Sequence, residues 1–261
     1  MNRYMMEHLG VGHNVIYDAT NLTAKRRAAL VNQIRHRFGN DVYCSCEVVA
    51  ALEEECVERQ SMRARKVPAE VIHRQICQFE IPFWNEGWDR IHITNTGRSF
   101  DVHDLLMNVW NTDQCNSHHT LCLGEHCCSM AELAMRDIMG SGASNARTFF
   151  KESDMIATLL DDAAMYHDVG KYYTQSFANA KGESTKEAHY YNHNNYSAWL
   201  MACDTEYHPY EDGWLFAIAL VQWHMQYYMV PKMDEWLSKR RFDKLFCFLL
   251  SILHEADKAA H

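Results

Sequence analysis

No phosphate-cradling loop can be traced in this chain, because none of its 11 glycines belongs to a G-x-x-x-x-G-K-S/T run. Only Gly170 precedes a lysine, Lys171, and Tyr172 follows where a serine or threonine is required. Without backbone amides and a lysine around the β and γ phosphates, ATP lacks its principal anchor, which argues against phosphoryl transfer by this polypeptide. Long apolar runs are missing too. The longest, Leu245 to Leu253, is too short to cross a bilayer, so no membrane role is expected. The sequence shows no repeat or low-complexity tract, and no leading signal segment is expected. The 10 cysteines do not form a disulfide framework: Cys127-Cys128 falls within a predicted helix, and Cys44 with Cys46 lacks the spacing of a zinc knuckle. A reducing cytoplasm is the expected compartment. Positive charge is also scarce. A net charge of -9 argues against broad adhesion to nucleic acid, so a polynucleotide would have to be gripped locally, at an end.

What the chain does contain is a histidine-aspartate doublet, His167-Asp168, at the end of an apolar helical pattern. Ile156, Leu159, Leu160, Ala163 and Ala164 recur at helical spacing, which places His167 on the buried face. Gly170 reads as a helix stop, and Lys171 lies one turn beyond the pair, where its ammonium can meet an anion. Four more ligand-type residues continue apolar stripes in the C-terminal half: His126, His193, His224 and Asp257. With 16 histidines in the chain, a lone one on an apolar face is ordinarily a hydrogen-bonded core residue, and the argument for metal rests on the ordered set. Neutral imidazole and ionised carboxylate suit Mn, Fe, Ni, Co, Zn or Mg, so the metal stays open. His118, His119 and His189 are further candidates for the pocket lining, and a solvated turn explains them equally well.

The order His126, His167-Asp168, His193, His224, Asp257 resembles the HD-domain metal-dependent phosphohydrolases, helical enzymes that cleave phosphate esters of nucleotides and nucleic acids. The resemblance covers roughly residues 101 to 261 and includes the surroundings Gly124-Glu125-His126, Val169-Gly170-Lys171, Tyr190-Tyr191-Asn192-His193 and Ala256-Asp257-Lys258. It implies that His126, His167, Asp168 and Asp257 ligate a first ion. His193 and His224, with Asp168 bridging, would support a second, and a single ion is the fallback. Asp168 and Lys171 are then the candidate catalytic residues, the first holding the nucleophile and the second neutralising phosphoryl charge.

The first hundred residues read differently. Over Asn14 to Thr23 an apolar strand runs into a polar turn, a helix opens at Lys25, Arg26 and Arg27, and a strand is predicted over Val42 to Ala50. A charged helix over Glu53 to Lys66 follows, then a helix from Val67-Pro68 through Ile72, Ile76 and Phe79 to Pro82, and a last strand near Arg90 to Thr94. This segment resembles the C-terminal part of a P-loop polynucleotide-kinase-type phosphotransferase. Asp18-Ala19-Thr20-Asn21 follows the central strand, and Arg59, Arg63 and Arg65 match a basic lid, giving Asp18 and these arginines as candidate nucleotide or phosphate contacts. The arginines also alternate with Glu53, Glu54, Glu55 and Glu58, as on a solvated helix laced with ion pairs.

The expected fold class is therefore α+β overall, an all-α HD helical bundle over 100–261 preceded by a partial α/β kinase-like segment over 1–99. Residues 1–99 hold 13 basic and 12 acidic side chains, whereas 100–261 hold 12 and 22. A kinase-like segment joined to an HD phosphohydrolase is similar to enzymes that heal broken RNA or DNA ends by adjusting their phosphates. The expected substrate is a nucleotide or a nucleic-acid end carrying a 3′ or 2′ phosphate, with one or two divalent metal ions as cofactor. Either the missing loop lies in an upstream segment or a partner carrying a P-loop, or it was lost and the segment is a degenerate module retained as scaffold or nucleic-acid clamp. Alternatives are a small-molecule nucleotidase, a cyclic-nucleotide phosphodiesterase, and a non-catalytic nucleotide-binding sensor.

Overall fold

The structure, a computed structural model, describes residues 2–117, 119–140, 153–206 and 211–260. It is a helix-rich α+β protein. The N-terminal part comprises α1 (Asn2–Gly10), α2 (Ala24–Phe38), β1 (Ser45–Ala50), α3 (Glu53–Ser61), α4 (Ala69–Cys77), a short 3-10 turn (Trp84–Glu86) and β2 (Arg90–Asn95). The C-terminal part adds α5 (Val102–Val109), α6 (Leu123–Gly140), α7 (Ser153–Tyr166), α8 (Lys171–Thr174), β3 (Gln175–Ala178), β4 (Ser184–Tyr190), α9 (His193–Ala202), α10 (Glu211–Trp223), α11 (Gln226–Met229), α12 (Met233–Arg240) and α13 (Lys244–Ala259). No helix among the described residues is long and apolar enough to cross a membrane.

The strand expected to begin at Asn14 does not form; the chain there is a segment without regular secondary structure, with Ile16 96% exposed. A strand exists only against a neighbour, and among the described residues β1 pairs with β2 alone, in parallel, Ser45 opposite Arg90. The other edge of β1 is left open toward that segment. The helix expected to reach Lys66 stops at Ser61, and the one expected to reach Pro82 stops at Cys77. Beyond Cys77 the backbone is held by Gln222 of α10, whose amide donates to the Phe79 carbonyl at 3.1 Å and accepts from the Ile81 amide. That side-chain pairing replaces a further helical turn.

Hydrophobic patterning explains the C-terminal helices. On α13, Phe246, Leu249, Leu250, Leu253 and Ala256 form one buried stripe, opened by Asp243, whose carboxylate accepts from the Phe246 amide at 2.7 Å. α10 is buried almost all round, from Trp214 to Trp223, and serves as a central post. The helix expected to end at Gly170 ends at Tyr166, and Gly170 instead leads into α8. A β-carbon at Gly170 would lie 2.6 Å from the Ser197 amide nitrogen and closer still to the His193 carbonyl, so only glycine permits this approach of α9. The hairpin β3–β4 is an addition to the helical expectation, closed where Asn179 Oδ1 accepts from the Lys181 and Glu183 amides and Gly182 adopts φ 82°.

The main apolar core is continuous from Val48 to Ala260 and so spans both sides of residue 100; a small satellite cluster gathers Met5, Met6, Ile34 and Cys44. All 10 cysteines are free.

Candidate metal centre

Five helical segments deliver six polar side chains to one buried place. His126 lies on α6, His167 and Asp168 just beyond α7, His193 at the start of α9, His224 just beyond α10 and Asp257 on α13. Every one is buried, from 0% exposure at His126 and His167 to 9% at Asp257. Ligand atoms of His126, His167 and Asp257 lie within 4.8 Å of one another, as do those of Asp168, His193 and His224.

Asp168 joins the two trios. Its Oδ2 is 3.3 Å from His126 Nε2 and 3.2 Å from His167 Nε2, while its Oδ1 is 3.0 Å from His193 Nε2 and 3.8 Å from His224 Nε2. Asp257 Oδ1 faces His126 Nε2 at 3.3 Å and His167 Nε2 at 3.8 Å.

The backbone orients all four rings alike. The Nδ1 atoms of His126, His167, His193 and His224 meet the carbonyls of Ala260, Ala164, Tyr190 and Val221 at 2.8, 2.7, 2.8 and 2.6 Å. A carbonyl only accepts, so each Nδ1 carries a proton and each Nε2 is turned inward, where it can bind a cation or take up a second proton. His126 and His167 thereby face each other Nε2 to Nε2 at 3.2 Å, and His193 and His224 do so at 3.3 Å. Two lone pairs at that separation repel unless a proton or a cation lies between them. In the metal-free chain burial opposes a charge on His126, but hydrogen bonds to Asp168 and Asp257 outweigh it and raise its pKa to about 9. His224 goes the other way, to about 3, through burial and then the neighbouring His167 and His193. Burial pushes the Asp168 and Asp257 carboxyls upward, yet the surrounding imidazoles, with Lys171 beside Asp168, hold both below the usual carboxylate range. Imidazole nitrogen and carboxylate oxygen in a closed, anionic pocket fit a divalent cation.

Lys171 is 5% exposed, its Nζ 2.6 Å from Asp168 Oδ2. Gln114, 2% exposed, accepts from it at 2.7 Å, and His119 Nε2 lies 3.1 Å away. Burial first, and then Lys171, lower the His119 pKa to about 3, which keeps that ring neutral. The Tyr190 ring lies 5.4 Å from the same ammonium. His189, the neighbour of Tyr190 on β4, stacks on Tyr191 at 5.5 Å. His118 lies outside the described residues. Sequence reasoning passed over Gln114 and Tyr228, whose hydroxyl donates to Asp257 Oδ2 at 2.9 Å. Neither stands in a ligand-type spacing, although Tyr228 follows His224 by one helical turn.

The N-terminal candidates partly converge. Asp18, Arg59 and Arg63 line a cleft of about 820 Å³ between the segment that follows α1, the open edge of β1 and helices α3 and α4, with Trp199 of α9 also in its lining. Arg65 is exposed and outside that lining. The ion-pair lacing expected among these arginines and glutamates is replaced by other partners: Arg59 bonds Thr96 Oγ1 at 3.1 Å, Glu58 pairs with Arg98 at 2.7 Å, and Glu53 accepts from Tyr196 at 2.6 Å.

Neither the curated proteins nor the solved structures contain a match to the chain. Residues 1–82 match the model of a family described as AAA domain. The N-terminal segment is thus similar to the P-loop, kinase-like nucleotide-binding proteins that this family represents.

Proposed function

We propose that this chain is a metal-dependent phosphohydrolase of the HD type, acting on a nucleotide or on a polynucleotide end that carries a 3′ or 2′ phosphate. The observation that carries the reading is the pairing of Nε2 atoms at 3.2 and 3.3 Å around a split Asp168 carboxylate, with every Nδ1 committed to a carbonyl. His126, His167 and Asp257 would hold one ion and His193 and His224 another, Asp168 bridging. A divalent ion in such a site supplies hydroxide near neutral pH and a clamp for the phosphoryl oxygens.

The chain's own residues do the rest. Lys171 places a fixed ammonium beside Asp168, where charge gathers on the phosphoryl oxygens, and Gln114 with His119 holds it there. Burial of all six ligands excludes bulk water and strengthens each charge interaction. The kinase-like segment supports a nucleotide or nucleic-acid substrate, with Asp18, Arg59 and Arg63 at its cleft. A P-loop strand from a partner or a further segment would add at the open edge of β1.

The test is a panel of phosphomonoesters, phosphodiesters and 2′,3′-cyclic-phosphate oligonucleotides, each with Mn²⁺, Ni²⁺ and Mg²⁺. Release of phosphate from 3′- or 2′-phosphorylated oligonucleotides, faster than from mononucleotides, is expected. Turnover confined to mononucleotides or cyclic nucleotides would replace the substrate with that of a small-molecule nucleotidase or phosphodiesterase. Inertness across the panel with every metal would contradict the enzyme and leave a nucleotide sensor.

A further inference from the structure

The ligands are not all supported from behind by the same kind of group. Each imidazole rests on a backbone carbonyl, but Asp257, the most exposed of the six, is held by the phenol of Tyr228. The Tyr228 hydroxyl donates to Oδ2 at 2.9 Å, and the other oxygen, Oδ1, faces His126 and His167. The phenol itself is well placed. Its ring meets His254 edge-on, centroids 4.7 Å apart at 71°, and His254 lies one turn before Asp257 on α13. Tyr227 stacks flat on the same imidazole at 4.6 Å, so α11 is clipped to α13 by two aromatic contacts. A carboxylate with one oxygen bound to a donor presents only the other to a cation, and such outer partners govern both the direction and the affinity of a ligand.

We infer that Tyr228 is a positioning residue for the ion held by His126, His167 and Asp257, fixing Asp257 as a one-oxygen ligand; the inference rests on the metal-centre reading above. The Tyr228 hydroxyl bonds Asp257, a member of the first trio, so the two halves of the centre should respond differently to its loss. Loss of the hydroxyl leaves a half-exposed ring in place and frees the carboxylate to rotate.

The experiment is a calorimetric titration of metal-stripped protein with Mn²⁺, comparing wild type, Tyr228→Phe and Asp257→Ala, each checked by its thermal melt. Wild type should show two binding events. Tyr228→Phe should weaken one of them about ten- to hundredfold, and it should be the same event that Asp257→Ala removes. Unchanged affinities in a folded Tyr228→Phe protein, or equal weakening of both events, would overturn the role of Tyr228. Failure of the wild type itself to take up Mn²⁺ would instead defeat the metal-centre reading, and the inference with it.

Discussion

Replacing Asp168 by alanine should strip the protein of both ions and lower phosphate release at least about 10³-fold, the scale of several kcal/mol of lost transition-state stabilisation. The two oxygens of Asp168 reach imidazole nitrogens of both trios. One carboxylate oxygen serves His126 and His167, the other serves His193 and His224, and the first also meets Lys171 at 2.6 Å. Removal would therefore take a ligand from each of the two proposed ions and leave a buried ammonium without its counter-charge. Alanine at His224 should act more narrowly, because its Nε2 meets His193 and the Oδ1 side of Asp168, while its ring meets His167 only edge to face at 5.1 Å. Metal content by atomic emission, read beside phosphate release, checks this: an Asp168→Ala protein that keeps either ion at wild-type affinity would contradict the bridge.

The second large effect concerns stability. Arg27→Met should cost about 3–5 kcal/mol of folding free energy, the range for breaking a buried ion pair by removing one partner. Arg27 and Glu86 have side chains only 4% and 3% exposed. They meet through Nη2 to Oε1 at 2.7 Å and Nε to Oε2 at 2.9 Å, a two-pronged geometry that a lysine could not reproduce. Arg27 Nη1 also donates to the Asn21 carbonyl at 2.8 Å, where the backbone takes the unusual φ of 33°. One guanidinium thus ties the segment that follows α1, α2 and the 3-10 turn together. Without it, Glu86 retains the Trp88 indole donor at 3.0 Å, which cannot neutralise a buried charge. Urea unfolding measures the loss, and Arg27→Met with Glu86→Leu should recover much of it; a loss below about 1 kcal/mol would place the pair among weak surface bridges.

Helical periodicity carried much of the centre into view before any coordinates. Asp257 completes the stripe of Phe246, Leu249, Leu250 and Leu253, and His167 follows Ala163 and Ala164 on theirs, so a polar residue at a core position announced itself. Three of the rings rest on carbonyls only three residues back, at Ala164, Tyr190 and Val221, but the one that fixes His126 was invisible, since Ala260 meets it from 134 residues away. Gln114 gave no signal because it reaches Lys171 from an irregular segment. In the N-terminal segment, apolar character at Val15, Ile16 and Tyr17 suggested a strand, but pairing is a property of the neighbour, and β1 leaves that edge unfilled. Arg59, Arg63 and Arg65 show the same limit: α3 ends at Ser61, so helical spacing no longer governs where the last two point.

The most direct test of the whole account is anomalous diffraction from crystals grown with Mn²⁺. Two peaks are expected about 3.5–4 Å apart, one among His126, His167 and Asp257 and the other among Asp168, His193 and His224. A well-ordered map with the six side chains in place and no anomalous density between them would contradict it.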